Sequence, residues 1–153
     1  MNEEIINRNK NINRGFRKLE IWKESVELFK FVKKKINLLT KLNSKIKNQI
    51  EASIFGVSSN IAEGYCRRHL KENIRFNNIA LASLGENYSQ IYTLFNAEII
   101  DKNWFDEYDK LHYSLENKII SYIKQQIKMM KDDVQWKNDY LIKELNIKYT
   151  ADS

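Results

Sequence analysis

The chain has 153 residues, of which 26 are Lys or Arg and 20 are Asp or Glu, giving a formal net charge of +6. Its length suits one domain, its single cysteine excludes an internal disulfide, and charges interrupt every apolar run before the roughly 20 residues needed to cross a bilayer. Because it has no proline, only four glycines and no secretory-signal layout at its start, the sequence predicts a cytoplasmic protein of long helices without a membrane partner.

The first segment, residues 1–15, is polar, rich in asparagine and aperiodic. Such composition predicts a flexible arm, here carrying Arg8, Lys10 and Arg14. Regular structure is expected to start near Phe16.

Helical spacing of apolar residues predicts four amphipathic helices after the arm. Their predicted ranges are residues 17–40, 44–64, 71–99 and 103 onward. Their apolar stripes contain, in chain order, Trp22, Phe29, Val32, Ile36 and Leu39; Ile46, Ile50, Ile54, Val57 and Ile61; Phe76, Ile79, Ala80, Ser83, Asn87, Ile91, Leu94 and Phe95; and Trp104, Tyr108, Leu111, Leu115, Ile119, Tyr122 and Ile127.

Two features of the second and fourth predicted helices bear on their packing. Small side chains at Ala52, Gly56 and Ser59 would let another helix approach closely, and Gly64 is expected to end the second helix with a positive φ angle. The apolar pattern of the fourth helix continues without a breaker, so this helix either projects beyond its neighbours or breaks near residues 132–133 and folds back.

Short connections between consecutive helices favour antiparallel neighbours. The sequence therefore predicts an all-α protein, an antiparallel up-down-up-down four-helix bundle over residues 16–128. An N-terminal arm (residues 1–15) precedes the bundle, and a partly helical C-terminal extension (residues 129–153) follows it.

No set of catalytic groups stands out, so we expect a protein that is not an enzyme and holds no cofactor. The Glu-x-x-His pattern of di-iron bundles is missing, and no metal site is expected. Cys66 and His69 stand three apart, a spacing that would let the imidazole lower the pKa of the thiol, but a lone cysteine is more often an inert packed residue. A hydrolase using Cys66 or Glu63 is the remaining, weaker alternative.

Basic residues concentrate in the first half of the chain, where residues 1–75 carry 17 Lys and Arg against 8 Asp and Glu. The basic half is the likelier face for a polyanion, although lysine-rich helices are often merely solvated. Two groups are candidates for nucleic-acid binding. They are Arg67, Arg68, Lys71 and Arg75, near the N-terminus of the third helix, and Lys23, Lys30, Lys34 and Lys41, opposite the apolar stripe of the first.

The arginine-containing group lies where free backbone N–H groups already favour phosphate. The alternative is a solvated connection with surface ion pairs that involve Glu72. Nearby, Asn60 and Glu63 are expected to form a structural polar clamp that fixes neighbouring helix ends through side-chain hydrogen bonds, with recognition as the alternative.

Taken in order, several motifs resemble the bacterial four-helix-bundle family named for proteins encoded in intervening sequences of 23S ribosomal RNA genes. The family is related to the accessory variability proteins of diversity-generating retroelements. The motifs are FRKLEIWK at 16–23, Gln49-Ile50, NIAEG at 60–64, Arg67-Arg68, Phe76, Ile79-Ala80, Ser83-Leu84 and Glu86. The resemblance covers residues 16–127, and the chain departs from the family pattern at Glu51-Ala52, Ser58 and Ala82.

The resemblance implies an antiparallel four-helix protomer that assembles into a homopentamer, without enzymatic activity. It also implies a basic surface that binds nucleic acid, RNA above all, or a reverse transcriptase in the retroelement relatives. The leading hypothesis is thus a non-catalytic, oligomeric nucleic-acid-binding scaffold. The alternative is a protein-interaction adaptor, such as a reverse-transcriptase accessory subunit, that docks through a tail from Lys131 onward with Trp136, Tyr140 and Leu145.

Overall fold

The computed structural model describes residues 2–131, and over this range the chain is all-helical, without a strand. Its six helices are α1 (Glu3–Asn7), a 3₁₀ helix (Ile12–Lys18), α2 (Glu20–Leu38), α3 (Ser44–Cys66), α4 (Leu70–Asn96) and α5 (Lys102–Lys131). The prediction of an all-α protein is confirmed. The four long helices α2 to α5 correspond to the four predicted amphipathic helices.

Regular structure begins earlier than the apolar pattern predicts, because α1 and the 3₁₀ helix lie largely within the expected arm. Asparagine side chains cap both: Asn2 Oδ1 accepts from the Ile5 N–H at 3.3 Å, and Asn11 Oδ1 accepts from the Arg14 N–H at 3.1 Å. Such local side-chain caps satisfy helix ends without an apolar stripe, so apolar periodicity does not detect them. The flexibility of residues 1–15 stays a prediction.

One guanidinium group ties this N-terminal segment together. Arg17 donates from Nη1 to the Ile5 carbonyl at 3.1 Å and from Nη2 to the Arg8 carbonyl at 3.0 Å. Phe16, beside it, packs edge-on against Tyr65 of α3 with ring centroids 6.4 Å apart. The segment is therefore held both to itself and to the end of α3.

The second half of α2 lies beside the starts of its two neighbours. Lys33 Nζ is 2.6 Å from a carboxylate oxygen of Glu51 in α3. Lys35 Nζ is 3.0 Å from a carboxylate oxygen of Asp101, the residue before α5. Near the start of α2, Glu24 forms an ion pair with Lys118 in the middle of α5.

Buried polar side chains link α4 to α3 and α5. Asn87 Nδ2 donates to the Ile50 carbonyl at 3.2 Å, and the Tyr108 hydroxyl donates to Asn87 Oδ1 at 2.8 Å. Asn77, which lies earlier on α4 than Asn87, donates from Nδ2 to Oε1 of Gln126 at 3.0 Å, and Gln126 lies later on α5 than Tyr108. Contacts therefore advance in opposite directions along α4 and α5.

The predicted stripes supply most of the core. Residues with no exposed surface include Val32, Ile36, Ile50, Ile54, Val57, Ile61, Ala80, Leu84, Ile91, Tyr108, Leu115 and Ile119. Three predicted stripe residues are instead exposed, namely Ile46, Ile79 and Leu111. Ile46 lies in the first turn of α3, and the other two lie at the margins of the buried arcs of their helices.

Helix α5 continues without interruption to Lys131. The predicted break near residues 132–133 and the tail with Trp136, Tyr140 and Leu145 lie outside the described residues. Within residues 2–131, no helix combines the length and the apolar character needed to span a membrane.

Candidate nucleic-acid interface

The connection between α3 and α4 is built on a close approach of the two helices at Gly64. A Cβ atom added there would lie 2.7 Å from Phe76 Cβ and 3.3 Å from the Asn73 carbonyl oxygen. The prediction that Gly64 ends the helix with positive φ is wrong, since α3 continues to Cys66 and the positive φ, 54°, falls on Arg68. The absence of a side chain at this glycine therefore allows α3 and α4 to pack closely, and it is not needed for a reversal of the chain.

Phe76 gathers two of the predicted arginines on its ring. The guanidinium carbon of Arg67 lies 5.1 Å from the ring centroid, and that of Arg75 lies 5.6 Å from it. Cation–π attraction of this kind contributes about 0.5–1 kcal/mol at an exposed site. The ring thus positions the two guanidinium groups on one small surface.

Both of these arginines also contact an acid of their own helix end. Arg67 Nη2 lies 2.7 Å from Glu63 Oε1, and this hydrogen bond is the main reason that the pKa of Arg67 is raised. Arg75 Nη1 lies 3.4 Å from Glu72 Oε2. All four side chains are more than one-third exposed, so these pairs contribute little to stability and leave the arginines accessible.

Arg68 lies differently from its two neighbours, because it turns toward the N-terminal segment. Its Nη2 donates to Asn13 Oδ1 at 3.4 Å, and its Nη1 is buried without a hydrogen-bond partner in the described part of the chain. The Cys66 thiol donates to the Asn13 carbonyl at 3.2 Å. Asn13, which sequence analysis did not single out, therefore anchors the segment to the α3–α4 connection.

The Cys66–His69 combination considered from sequence does not produce an activated thiol. Partial burial raises the pKa of Cys66, and the nearby Arg68 charge only partly opposes this. His69 is exposed and precedes α4 as its N-terminal cap without a side-chain cap bond. A raised pKa lowers the thiolate fraction at neutral pH, which disfavours nucleophilic reactivity.

The start of α4 offers backbone donors next to the basic side chains. Because His69 makes no side-chain cap hydrogen bond, the first-turn N–H groups of α4 have no cap from that side chain. Lys71, in this turn, is exposed and forms no ion pair with any residue that the structure describes. Uncapped N–H groups beside free cations favour an anion.

The predicted lysine row on α2 is partly neutralised by acids one turn earlier. Lys23 pairs with Glu20 at 3.3 Å, and Lys30 pairs with Glu27 at 2.9 Å. The sequence carries this signal, since residues three apart are neighbours on a helix. Of the row, only the exposed Lys34 and Lys41 lack an ion pair within residues 2–131.

The lysine row and the arginines do not form one compact patch. Lys41 lies just before α3, whereas Arg67 lies just after it. The 23 residues of α3 separate the two ends by about 35 Å at 1.5 Å per residue. Lys41 thus lies at the opposite end of α3 from the arginines, and the row runs from Lys23, near the start of α2, to Lys41, beyond its end.

The polar pair Asn60 and Glu63 forms its hydrogen bonds within α3 and its cap. Asn60 Nδ2 donates to the Gly56 carbonyl at 2.7 Å, one turn earlier, and Glu63 accepts from Arg67. Neither of these bonds crosses to another helix. The role of the pair as a clamp between helix ends stays a prediction.

Beneath the arginines lies a buried amide cluster that the apolar patterns did not reveal. Asn77 Nδ2 donates to Asn73 Oδ1 at 2.8 Å as well as to Gln126. One polar atom on each of the three amides is buried without a protein partner. The described residues contain no group of three His, Cys, Asp or Glu side chains able to hold a metal ion.

Comparison with known proteins gives a family match. The family described as 23S rRNA-intervening sequence protein matches residues 17–121 of this chain. No curated protein matches significantly. No solved structure does so either.

Proposed function

The chain belongs to the family of 23S rRNA-intervening sequence proteins, and from this premise we propose that it is a nucleic-acid-binding scaffold that catalyses no reaction. The observation that carries the proposal is the placement of Arg67 and Arg75 on the ring of Phe76, beside the uncapped start of α4. Guanidinium groups hold phosphate through two parallel hydrogen bonds. A helix N-terminus adds backbone donors for the same charge.

Binding through this surface should depend strongly on salt and weakly on sequence. Each phosphate neutralised by a Lys or Arg releases condensed counterions, so affinity falls as salt rises. Arg67, Arg75 and Lys71 supply the contacts, and Arg68 orders the connection through Asn13. Phosphate contacts position a protein on nucleic acid but do not read its bases.

The α2 lysines would play a secondary part. Lys34 and Lys41 are free to contact a polyanion, whereas Lys23 and Lys30 must first be released from their glutamates. We propose RNA as the ligand because of the family's description. The protein would act in the cytoplasm, without a cofactor or a membrane partner.

We also propose that α2 to α5 form an antiparallel up-down-up-down bundle and that this protomer assembles into a homo-oligomer, a pentamer as the resemblance implies. The opposed order of contacts along α4 and α5 supports the topology. Phe55 supports the assembly, since its side chain is 59% exposed on α3 beside the exposed Ala52. Light scattering measures the stoichiometry, and Phe55→Glu should lower it if this face is an interface.

The test of nucleic-acid binding is an RNA titration, followed by fluorescence anisotropy, at several salt concentrations. A variant with Arg67→Ala and Arg75→Ala should bind more weakly and show a slope of log affinity against log salt reduced by roughly 2, about one per phosphate contact. A control variant with Lys45→Ala, at the start of α3, should keep the wild-type slope. Affinity that does not change with salt would overturn the proposal.

A second candidate, a protein-interaction adaptor, is favoured by a groove between α2 and α5. Leu28, Phe31 and the exposed Leu111 line this cavity of about 550 Å³, together with Glu24 and Lys34. A reverse transcriptase or another polypeptide could dock there. Leu111→Asp should abolish capture of such a partner while leaving RNA binding intact, and capture that persists in this variant would remove the groove from consideration.

A further inference from the structure

The second half of α5 carries a basic surface that is independent of the residues discussed so far. Residues 117–131 contain four lysines and no acidic residue, whereas residues 102–116 contain four acidic residues and two lysines. Lys124, Lys128 and Lys131 are all exposed and fall within about 60° of one another at 100° per residue. They therefore form one outward-facing row.

A hydrogen bond and an electrostatic interaction place this half of α5 beside the arginine-containing connection. Gln126, between Lys124 and Lys128, accepts a hydrogen bond from Asn77 of α4. Burial raises the pKa of Tyr122 to about 12, and a smaller contribution comes from Tyr65 at the end of α3. The lysine row of α5 thus lies at the same end of the helices as the α3–α4 connection.

The N-terminal segment adds a third basic stretch at this end. Between residues 2 and 19 it has five basic residues against two acidic ones. Its Asn13 is held by Cys66 and Arg68, which brings the exposed Arg14 to the connection. We call the end where these three stretches meet the basic end.

A groove connects two of the three stretches. It lies between the start of α2 and the second half of α5 and has a volume of about 530 Å³. Lys18, Lys118 and the acidic Glu20 line it, together with the uncharged Asn117, Ser121 and Gln125. Lys118 also forms an ion pair with Glu24. Amide and hydroxyl groups between cations are suited to hydrogen-bond phosphate and ribose oxygens.

At the opposite end, where the α2–α3 and α4–α5 connections lie, cations face acids. Lys35 pairs with Asp101 across two elements, and Lys102 pairs with Asp106 at 2.6 Å. Lys33 pairs with Glu51. The exposed Lys34 and Lys41, toward the same opposite end, lack an ion pair within residues 2–131. The basic end is therefore distinguished by the three basic stretches that meet there, not by unpaired cations alone.

Within residues 2–131, no ring at the basic end is fully open to unpaired bases, since Phe16, Tyr65 and Tyr122 are half-buried. Phe76 is buried and covered by two guanidinium groups. The aromatic side chains that are exposed within residues 2–131 lie elsewhere, with Phe55 and Tyr113 in the middle stretches of α3 and α5 and Tyr92 near the end of α4. Proteins that bind single strands commonly combine cations with exposed rings on which the bases stack.

We infer that the three basic stretches act as one continuous surface for the phosphate backbone of a double-stranded nucleic acid. The inference rests on the proposed nucleic-acid binding and specifies its ligand as a duplex, whose paired bases need no stacking ring. It also extends the interface to residues of α5 that the arginine site does not contain. Lys124 and Lys128 would contact the backbone next to the strand segment held by Arg67 and Arg75.

The test compares a short RNA duplex with one of its strands, chosen without self-complementarity, over a salt series. The wild-type protein should bind the duplex more tightly than the strand at every salt concentration. A variant with Lys124→Gln and Lys128→Gln should lose affinity for the duplex, and its salt slope should fall by roughly 2, at about 0.9 per phosphate contact. Both side chains are exposed, so an unchanged circular-dichroism melting curve should verify the fold.

The matched control carries Lys102→Gln and Lys110→Gln, which remove the same charge from the acidic half of the same helix. This control should keep the wild-type slope. Equal salt slopes in the two variants, or tighter binding of the strand than of the duplex, would overturn the inference. Neither result would bear on phosphate binding by Arg67 and Arg75. Absence of salt-dependent binding to either RNA would overturn the proposed function as well.

Discussion

The two ends of the helices use their basic residues in different ways. At the opposite end, Lys33 and Lys35 bond acids on other elements, so cations there join one element to the next. At the basic end, Arg67 and Arg75 contact acids only within their own helix ends and share the ring of Phe76. Lys33 and Lys35 thus join one element to another, whereas the guanidinium groups of Arg67 and Arg75 stay accessible to a ligand.

We expect the largest change in the free energy of unfolding from a substitution at Gly64, where α3 and α4 are in close contact. In Gly64→Ala the new methyl group would lie 2.7 Å from Phe76 Cβ, and such overpacking costs about 1–3 kcal/mol. Gly85→Ala is the matched control, because a Cβ atom there meets nothing within 4 Å. It should stabilise the helix by about 0.5–1 kcal/mol. Urea unfolding measures both, and changes of the same sign would contradict the account.

The next prediction compares the stability lost when a buried polar group is removed toward each end of the helices. Tyr108→Phe removes the donor to Asn87 Oδ1 and should cost about 1–3 kcal/mol, because a buried acceptor is left unpaired. Gln126→Leu, under the basic end, removes an amide whose nitrogen already lacks a partner. Its free energy of unfolding should therefore change less than that of Tyr108→Phe, and the reverse order would be inconsistent with the hydrogen bonds seen.

A third prediction concerns the docking of the N-terminal segment at the basic end. Arg17→Gln removes the bonds to the Ile5 and Arg8 carbonyls, so trypsin should cleave after Arg8 and Lys10 faster than in the wild-type protein. Cleavage after Lys41, in the α2–α3 connection, serves as the internal control and should not change. If cleavage after Lys41 also becomes faster, the substitution has destabilised the whole fold and not only the N-terminal segment.

The smallest effect is expected from the charge of Asp101 at the opposite end. The hydrogen bond from the Trp104 N–H, followed by the bond and charge of Lys35, lowers the pKa of Asp101 below its ordinary 3.8. A lowered pKa means that the carboxylate stabilises the fold above the ordinary value and that this contribution is lost as pH falls through the lowered one. Asp101→Asn should therefore be slightly less stable at pH 7 and equally stable in strong acid. A difference that grows on acidification would exclude this linkage.

Apolar periodicity was sufficient to predict the four long helices and most of their core, since Val32, Ile50 and Leu115 lie where a repeat of 3.6 residues puts them. It could not predict the buried amides of Asn77 and Gln126. Their partners lie on another helix, and a polar residue does not indicate in advance that it will be buried.

The sequence indicates which residues belong to the candidate site but not how they are arranged. The cluster around Arg67 is visible in the sequence, but its order depends on Gly64 meeting Phe76, a contact between two helices. The docking of the N-terminal segment depends on backbone carbonyls that accept from Arg17. Every residue has such a carbonyl, so the sequence carries no signal for this arrangement.

Amide hydrogen exchange with and without a short RNA duplex shows at which end of the helices the nucleic acid binds, because each end has connections whose amides lie outside the long helices. Binding at the basic end predicts slower exchange in peptides that cover residues 8–19 and 66–71, with no change over residues 38–44 and 96–102. Protection confined to the latter two peptides would place the nucleic acid at the opposite end and contradict the account.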